Sequence, residues 1–271
     1  MFKLGFSTLG CPNYDIDQVI ALARNSHFSG VELRLIRGEV DLAKLEEFSP
    51  AKIGETRRRF HDSGIQVVCI GTSVRMTSLD EGERRRQLES SLAHCAIAEG
   101  LGARHLRVFG GPIPKHQDHE ATLNAIATGL SQVADETGRR GITSLLETHD
   151  EFSTSDNILD LFARGASENL GILWDILHTY RHGESGAHTW ARLGPRIQHV
   201  HVKDSSESSE KGFNLVLTGE GTVPIPSFLE VLKAAKYDGY VNFEWEKAWH
   251  PEIEEPEVAI PHFARYMSSR M

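Results

Sequence analysis

The chain repeats one unit eight times: a short strand of aliphatic and β-branched residues, a loop, then an amphipathic helix. Strand segments fall at Leu4–Ser7, Gly30–Arg34, Gln66–Ile70, His105–Phe109, Thr143–Glu147, Gly171–Asp175, Gln198–Val202 and Tyr240–Glu244. Strands that alternate with helices pair in parallel, and eight such units close on themselves. The 271 residues divide into units of about 34, which suits a (β/α)8 TIM barrel. No linker or composition shift interrupts the pattern, so the expected architecture is α/β, one barrel domain over residues 1–271.

The helices carry their own signals. Ile16, Val19, Ile20 and Ala23 line one face of a helix over Asp15–Ser26. Ser49–Pro50 reads as an N-cap and first helical position for the second helix, and Ser78 with Glu81 as a capping box for the third. In the C-terminal helix Pro256–Ser268, the residues Val258, Phe263 and Met267 are expected to pack on the barrel. The sixth helix, around Thr189–Leu193, is short. After the seventh strand, Ser205–Pro226 is long and polar at its start, as expected for a lid or small hairpin over a site.

Composition excludes several classes. With 39% hydrophobic residues the chain builds a large core. No run approaches 18 apolar residues, and MFKLGFSTLG reads as a first strand rather than a signal peptide. Cys11, Cys69 and Cys95 are scattered, with no CxxC. The expectation is a cytoplasmic protein with reduced thiols and no membrane association. A net charge of -9 argues against a nucleic-acid partner; Arg57–Arg59 and Arg84–Arg86 read as solvated helix faces. A homo-oligomer is compatible with such a barrel, though no segment marks an interface.

All strand C-termini of a barrel point to one face, where active sites form. Glu147, Asp175, His201 and Glu244 end four consecutive predicted strands, at intervals of 28, 26 and 43 residues, so each belongs to its own unit. A charge that ends a buried strand is costly unless paired or metal-bound. Two Glu, one Asp and one His suit one divalent ion: Mn²⁺ first, with Mg²⁺, Co²⁺ or Zn²⁺ as alternatives.

The motifs LLETH at Glu147, WDILH at Asp175, HVHVKD ending at Asp204, the run GEG to FLEVLKAAKYDGYVNFEWE, and the opening GFSTLGCP make the chain resemble the xylose isomerase-like superfamily, the sugar phosphate isomerases and epimerases. The resemblance spans essentially the whole chain. It implies Glu147, Asp175, His201 and Glu244 as metal ligands. It selects His201 over His199, which strand alternation leaves on the same side. It implies Glu147 and Glu244 as the catalytic acid/base pair, and places His178 against substrate oxygens. The implied activity is that of a divalent-metal-dependent sugar (or sugar-phosphate) isomerase or epimerase of carbohydrate metabolism. Such an enzyme removes a proton α to a carbonyl through a metal-stabilised enediolate.

Other residues border this site. Arg107 ends the fourth strand, as a contact to a substrate hydroxyl or phosphate or as a structural ion pair. Glu32 ends the second strand, as a pocket wall or a partner of Arg34. Lys203 is a further candidate substrate contact, although it is expected to point away from His201. Lys247 and Trp249 follow the eighth strand near the site mouth, and Trp174 reads as core. Gly219–Gly221 is neither a P-loop nor a GxGxxG, so the sugar or polyol substrate need not be phosphorylated.

Three alternatives remain at this level. A lyase that dehydrates an inosose or a dehydroshikimate-like acid would use the same proton abstraction and then expel a β-hydroxyl. An abasic-site nuclease would need histidines after the second and third strands, which read VELRL and VVCIGTS. A non-enzymatic binding subunit would not need the tetrad.

Overall fold

The computed structural model describes residues 2–210 and 212–271. Eight parallel strands close into a barrel: β1 (Lys3–Ser7), β2 (Gly30–Leu33), β3 (Gln66–Arg75), β4 (His105–Phe109), β5 (Thr143–Glu147), β6 (Gly171–Asp175), β7 (Ile197–Val202) and β10 (Tyr240–Phe243), with β10 pairing β1 to close the ring. The strands between β7 and β10, β8 (Asp204–Ser209) and β9 (Gly212–Val216), form a separate antiparallel hairpin. The long segment after the seventh strand is therefore the small hairpin, one of its two expected forms. Arg181 ties it down by donating to the carbonyls of Ser209 and Glu210, both at 2.8 Å.

The outer layer comprises α1 (Ile16–Asn25), α2 (Ile53–Asp62), α3 (Glu81–Leu101), α4 (His119–Gly138), α5 (Ser155–Ala163), α6 (Ile176–Arg181), α7 (Gly186–Leu193), α8 (Ile225–Ala234) and α9 (Pro256–Ser268). Along each barrel strand, alternate residues face the helices and the barrel axis. In β7, Val200 and Val202 meet the helix layer, while His199 and His201 turn inward. Trp174 packs between Phe228 and Trp190 and donates its indole N–H to Thr179, a core role as expected. Cys11, Cys69 and Cys95 are free and buried.

Three local expectations change. α2 starts at Ile53, because the N–H groups of Lys52 and Ile53 return to the Ser49 carbonyl and make a turn of Ser49–Pro50. α3 is capped by Asp80, whose carboxylate accepts from Glu83 N–H at 2.7 Å; Ser78 only accepts from Asp80 N–H, one step earlier. In α9, Val258 is 49% exposed. It lies five residues before Phe263, about 140° round the helix, so the buried face runs through Ala259, Ile260, Phe263 and Met267.

Candidate metal centre and active site

Glu147 and Asp175 end β5 and β6, His201 is the last residue but one of β7, and Glu244 follows β10; their ligand atoms all lie within 4.8 Å of one another and all four side chains are buried. Asp175 does two jobs. Its Oδ1 accepts the N–H groups of Leu177 and His178 at 2.9 and 3.3 Å, capping α6, and its Oδ2 is 2.8 Å from Lys203 Nζ. The WDILH motif is thus a strand end and a helix start folded into one turn.

The two glutamates are arranged alike. One oxygen of each faces His201 Nδ1, at 3.5 Å for Glu147 and 3.2 Å for Glu244. The other meets a buried cation: Arg107 at 3.1 Å for Glu147, and Lys203 for Glu244. Lys203 also holds Glu246 at 2.6 Å. Below the cluster, His201 Nε2 is 2.9 Å from Glu32 Oε2, and Ser7 donates to Glu32 Oε1 at 3.0 Å. Glu32 is fully buried, held by Ser7 and the two imidazoles. His199 lies beside it, 3.3 Å from the same carboxylate, with Asn242 at 3.0 Å.

Among the described residues these contacts assemble five carboxylates (Glu32, Glu147, Asp175, Glu244, Glu246) against the buried cations Arg107 and Lys203, with Arg34 nearby but outside ion-pair distance. Carboxylates outnumber the cations paired with them, and a divalent cation would offset the excess. Titration directions follow the same geometry. Burial and the Glu244 charge push Glu147 up, but Arg107 and His201 outweigh them and hold it below the usual carboxylate range. Burial opposes the charged form of Glu244 too, yet His201 and Lys203 hold it well below. For Asp175 burial prevails and raises the carboxyl to about 6. Burial disfavours charge on Lys203, but Asp175, Glu244 and Glu246 raise it well above an ordinary lysine.

The donor set fits a divalent ion. Glu147 Oε2, Asp175 Oδ2 and His201 Nδ1 are buried and make no directed hydrogen bond among the described residues. If Nε2–H of His201 donates to Glu32, Nδ1 presents its lone pair to two carboxylate oxygens, an arrangement that only a cation or a proton relieves.

Over the cluster lies a cavity of about 300 Å³ lined by Arg34, Ser73, Arg75, Arg107, Phe109, Glu147, His149, Glu244, Glu246 and Trp249, with Leu9. Arg107 therefore makes the ion pair and also lines the cavity. Lys203 does not point away from His201. Residues two apart on a strand share a face, so 199, 201 and 203 all turn inward. His178 is buried at the start of α6, edge-on to His149 with ring centroids 4.4 Å apart, and among the described residues neither of its ring nitrogens has a hydrogen-bond partner. It borders a neighbouring cavity of about 460 Å³ that shares His149 with the first. Lys247 Nζ is instead committed to the carbonyls of Pro251 and Ile253.

Sequence reasoning passed over His149, Glu246 and the placement of Arg34. The signal was available: each lies two residues beyond an inward-facing residue (Glu147, Glu244 and Glu32), so alternation carries it to the same face.

The family described as "Xylose isomerase-like TIM barrel" matches residues 20–267, and the chain belongs to it. The chain is 26% identical over 188 residues to the rhizopine catabolism protein MocC of Rhizobium meliloti, covering 59% of this chain and 58% of that one. It is 21% identical over 170 residues to fructoselysine 3-epimerase of Escherichia coli O157:H7, covering 61% of each. The matches thus span about three-fifths of the curated relatives' length. The solved structure of the IOLI protein with a bound zinc atom superposes with a TM-score of 0.81 at 15% identity, covering 98% of this chain and 96% of that one, a likeness of fold.

Proposed function

We propose that the chain is a divalent-metal-dependent isomerase or epimerase of a keto-sugar or related polyol, with Glu147, Asp175, His201 and Glu244 holding the ion and Glu147 and Glu244 moving the proton. The observation that carries this reading is the matched pair of glutamates, each with one oxygen on the His201 side and the other on a buried cation.

When bound, a divalent cation such as Mn²⁺ supplies Lewis acidity at a substrate carbonyl, worth several kcal/mol. The protein supplies the rest. Arg107 with His201 at Glu147, and His201 with Lys203 at Glu244, keep both glutamates ionised at neutral pH, so either carboxylate can accept a carbon-bound proton. General-base help of this kind is typically worth about 10²–10⁴ in rate. Burial of the carboxylates excludes bulk water, which would otherwise compete for the proton. His149 lines this cavity and His178 the neighbouring one that shares His149, where imidazole N–H groups can orient substrate hydroxyls.

The fructoselysine 3-epimerase relative supports proton transfer next to a ketone as the reaction class. The test is direct. Protein loaded with Mn²⁺ is offered ketohexoses and inososes in D₂O, and carbon-bound deuterium is read by NMR. Solvent deuterium at a carbon next to the carbonyl is expected. A new conjugated-enone absorbance with loss of water would move the assignment to a lyase. No exchange across the panel by fully metallated protein would sink the reading.

A further inference from the structure

Arg34 is out of balance with its surroundings. Its side chain is buried, with only 6% of the residue exposed. A buried guanidinium normally has a carboxylate partner, because desolvating an unpaired charge is costly. Among the described residues no carboxylate oxygen lies within ion-pair distance of Arg34. Its hydrogen bonds go to neutral groups: the Ser73 hydroxyl at 2.7 Å and the Val40 carbonyl at 3.5 Å. The acidic residues near it are committed elsewhere, Glu32 to His201 and Ser7, Glu147 to Arg107, and Glu244 to Lys203.

The same wall of the cavity holds two more arginines. Arg107 spends one nitrogen on Glu147, while its Nε is buried with no hydrogen-bond partner among the described residues. Arg75 lines the cavity mouth and makes no ion pair among the described residues. The wall is built to bring these groups together. Gly71 leaves room for both guanidiniums: a Cβ there would sit 3.0 Å from Arg34 Cδ and 3.1 Å from the Arg107 side-chain nitrogen. Trp249 covers Arg34 from the solvent side, its ring centroid 5.9 Å from the guanidinium carbon. One side of the cavity thus carries the carboxylates of the metal cluster, and the other carries two guanidiniums, Arg34 and Arg75, with no carboxylate in ion-pair contact among the described residues.

We infer that the cavity takes a substrate bearing an oxyanion, a carboxylate or phosphate group, seated against Arg34 and Arg75 while the rest of the molecule reaches the Glu147–Glu244 cluster. This rests on the reading of the cavity as the substrate site and specifies its substrate class. The planar fork of Arg34 matches a carboxylate or phosphate edge, and charge-assisted hydrogen bonds are roughly twice as strong as neutral ones. A neutral sugar would leave the Arg34 charge buried and unpaired in the complex.

The experiment compares three ketoses that differ only at the sixth carbon, D-fructose, D-fructuronate and D-fructose 6-phosphate, by calorimetric titration into Mn²⁺-loaded protein. At least one oxyanionic sugar is expected to bind about tenfold or more tightly than D-fructose. Which one does so distinguishes carboxylate from phosphate. Arg34→Gln is expected to bring that advantage to within about twofold, with metal content unchanged. Should Arg34→Gln fail to fold, Arg75→Gln, at a more exposed position, is expected to reduce the advantage by a smaller factor. The inference is overturned if no oxyanionic sugar gains over D-fructose, whether all bind alike or none binds, or if the gain survives these substitutions. Deuterium exchange and bound metal are read on the same samples. An anion advantage without exchange would therefore fault the proposed reaction and not the anion site.

Discussion

Glu32 Oε2 lies 2.9 Å from Nε2 of His201, across 169 residues of chain and wholly out of solvent. A carboxylate behind a metal-binding imidazole sets which ring nitrogen carries the proton and holds the ring in place. Ser7 fixes that carboxylate from the other side. Glu32→Gln is therefore expected to weaken divalent-metal affinity by about 10–100-fold while every ligand remains. Competition titration against a metal-sensing dye would show it. Unchanged affinity would mean that Glu32 supports the barrel and not the imidazole.

Lys203 is the hub of a second relationship, with Asp175, Glu244 and Glu246 all within ion-pair distance. Removing one partner of a buried ionic cluster leaves uncompensated charge and typically costs about 3–5 kcal/mol. Lys203→Met should destabilise the metal-free protein by about that amount in urea unfolding. Saturating Mn²⁺ should recover part of the loss, because the ion supplies positive charge to the same carboxylates. A change below about 1 kcal/mol would show that the carboxylates take up protons instead.

Asp204 closes the HVHVKD motif without joining the metal cluster. Its carboxylate accepts the backbone N–H groups of Ser205, Gly219, Gly221 and Val223 at 2.8–3.2 Å, pinning both ends of the hairpin segment. The approach requires a glycine at 221, where a Cβ would lie 2.1 Å from Asp204 Oδ1. Asp204→Ala orphans these donors at about 1–3 kcal/mol for each one left buried. It should lower stability by at least about 2 kcal/mol and open residues 205–223 to limited proteolysis. An unchanged cleavage pattern would contradict that role.

The architecture was legible because it is repetitive. β4, β5 and β6 occupy the very residues their hydrophobic runs marked out, and all four ligand candidates sit at or next to strand ends. Less was legible where the partner is remote or the local geometry subtle. Nothing near Glu32 in sequence announces His201, since the two meet only when the barrel closes. Lys203 could have been read correctly, since alternation continues through the residue after β7 and gives it the face of His201. The α3 cap was missed by two residues because Ser78 and Asp80 are both good acceptors, and only the backbone turn decides between them.

His105 makes acid stability testable. It starts β4, its ring centroid 6.1 Å from that of His199, and its Nδ1 is buried without a hydrogen-bond partner among the described residues. Burial, reinforced by His199, lowers its pKa from 6.5 to about 4. Between those values the unfolded chain binds more protons than the folded one, so stability rises with pH through this window and falls on acidification. The contribution is complete above pH 6.5 and is lost as pH drops through about 4, at most about 3 kcal/mol. Urea unfolding at pH 7 and pH 4.5 should show His105→Gln with a shallower loss than wild type, by about 2 kcal/mol. Parallel pH profiles for the two proteins would refute it.

The matched glutamates make the sharpest prediction about the chemistry. If Glu147 and Glu244 serve opposite faces of one carbon, each variant loses one direction of proton transfer and keeps the other. Glu147→Gln and Glu244→Gln should each lower turnover by about 10²–10⁴, the usual worth of a positioned general base. Both should still exchange the α-proton of one substrate epimer with solvent, and the two variants should choose opposite epimers. NMR of each pure epimer in D₂O reads this without requiring net turnover. Because both residues are also proposed ligands, bound metal must be measured alongside. A variant that keeps its metal and loses exchange with both epimers would assign all proton transfer to the glutamate it lacks, and would leave an isomerase with one base as the reaction type.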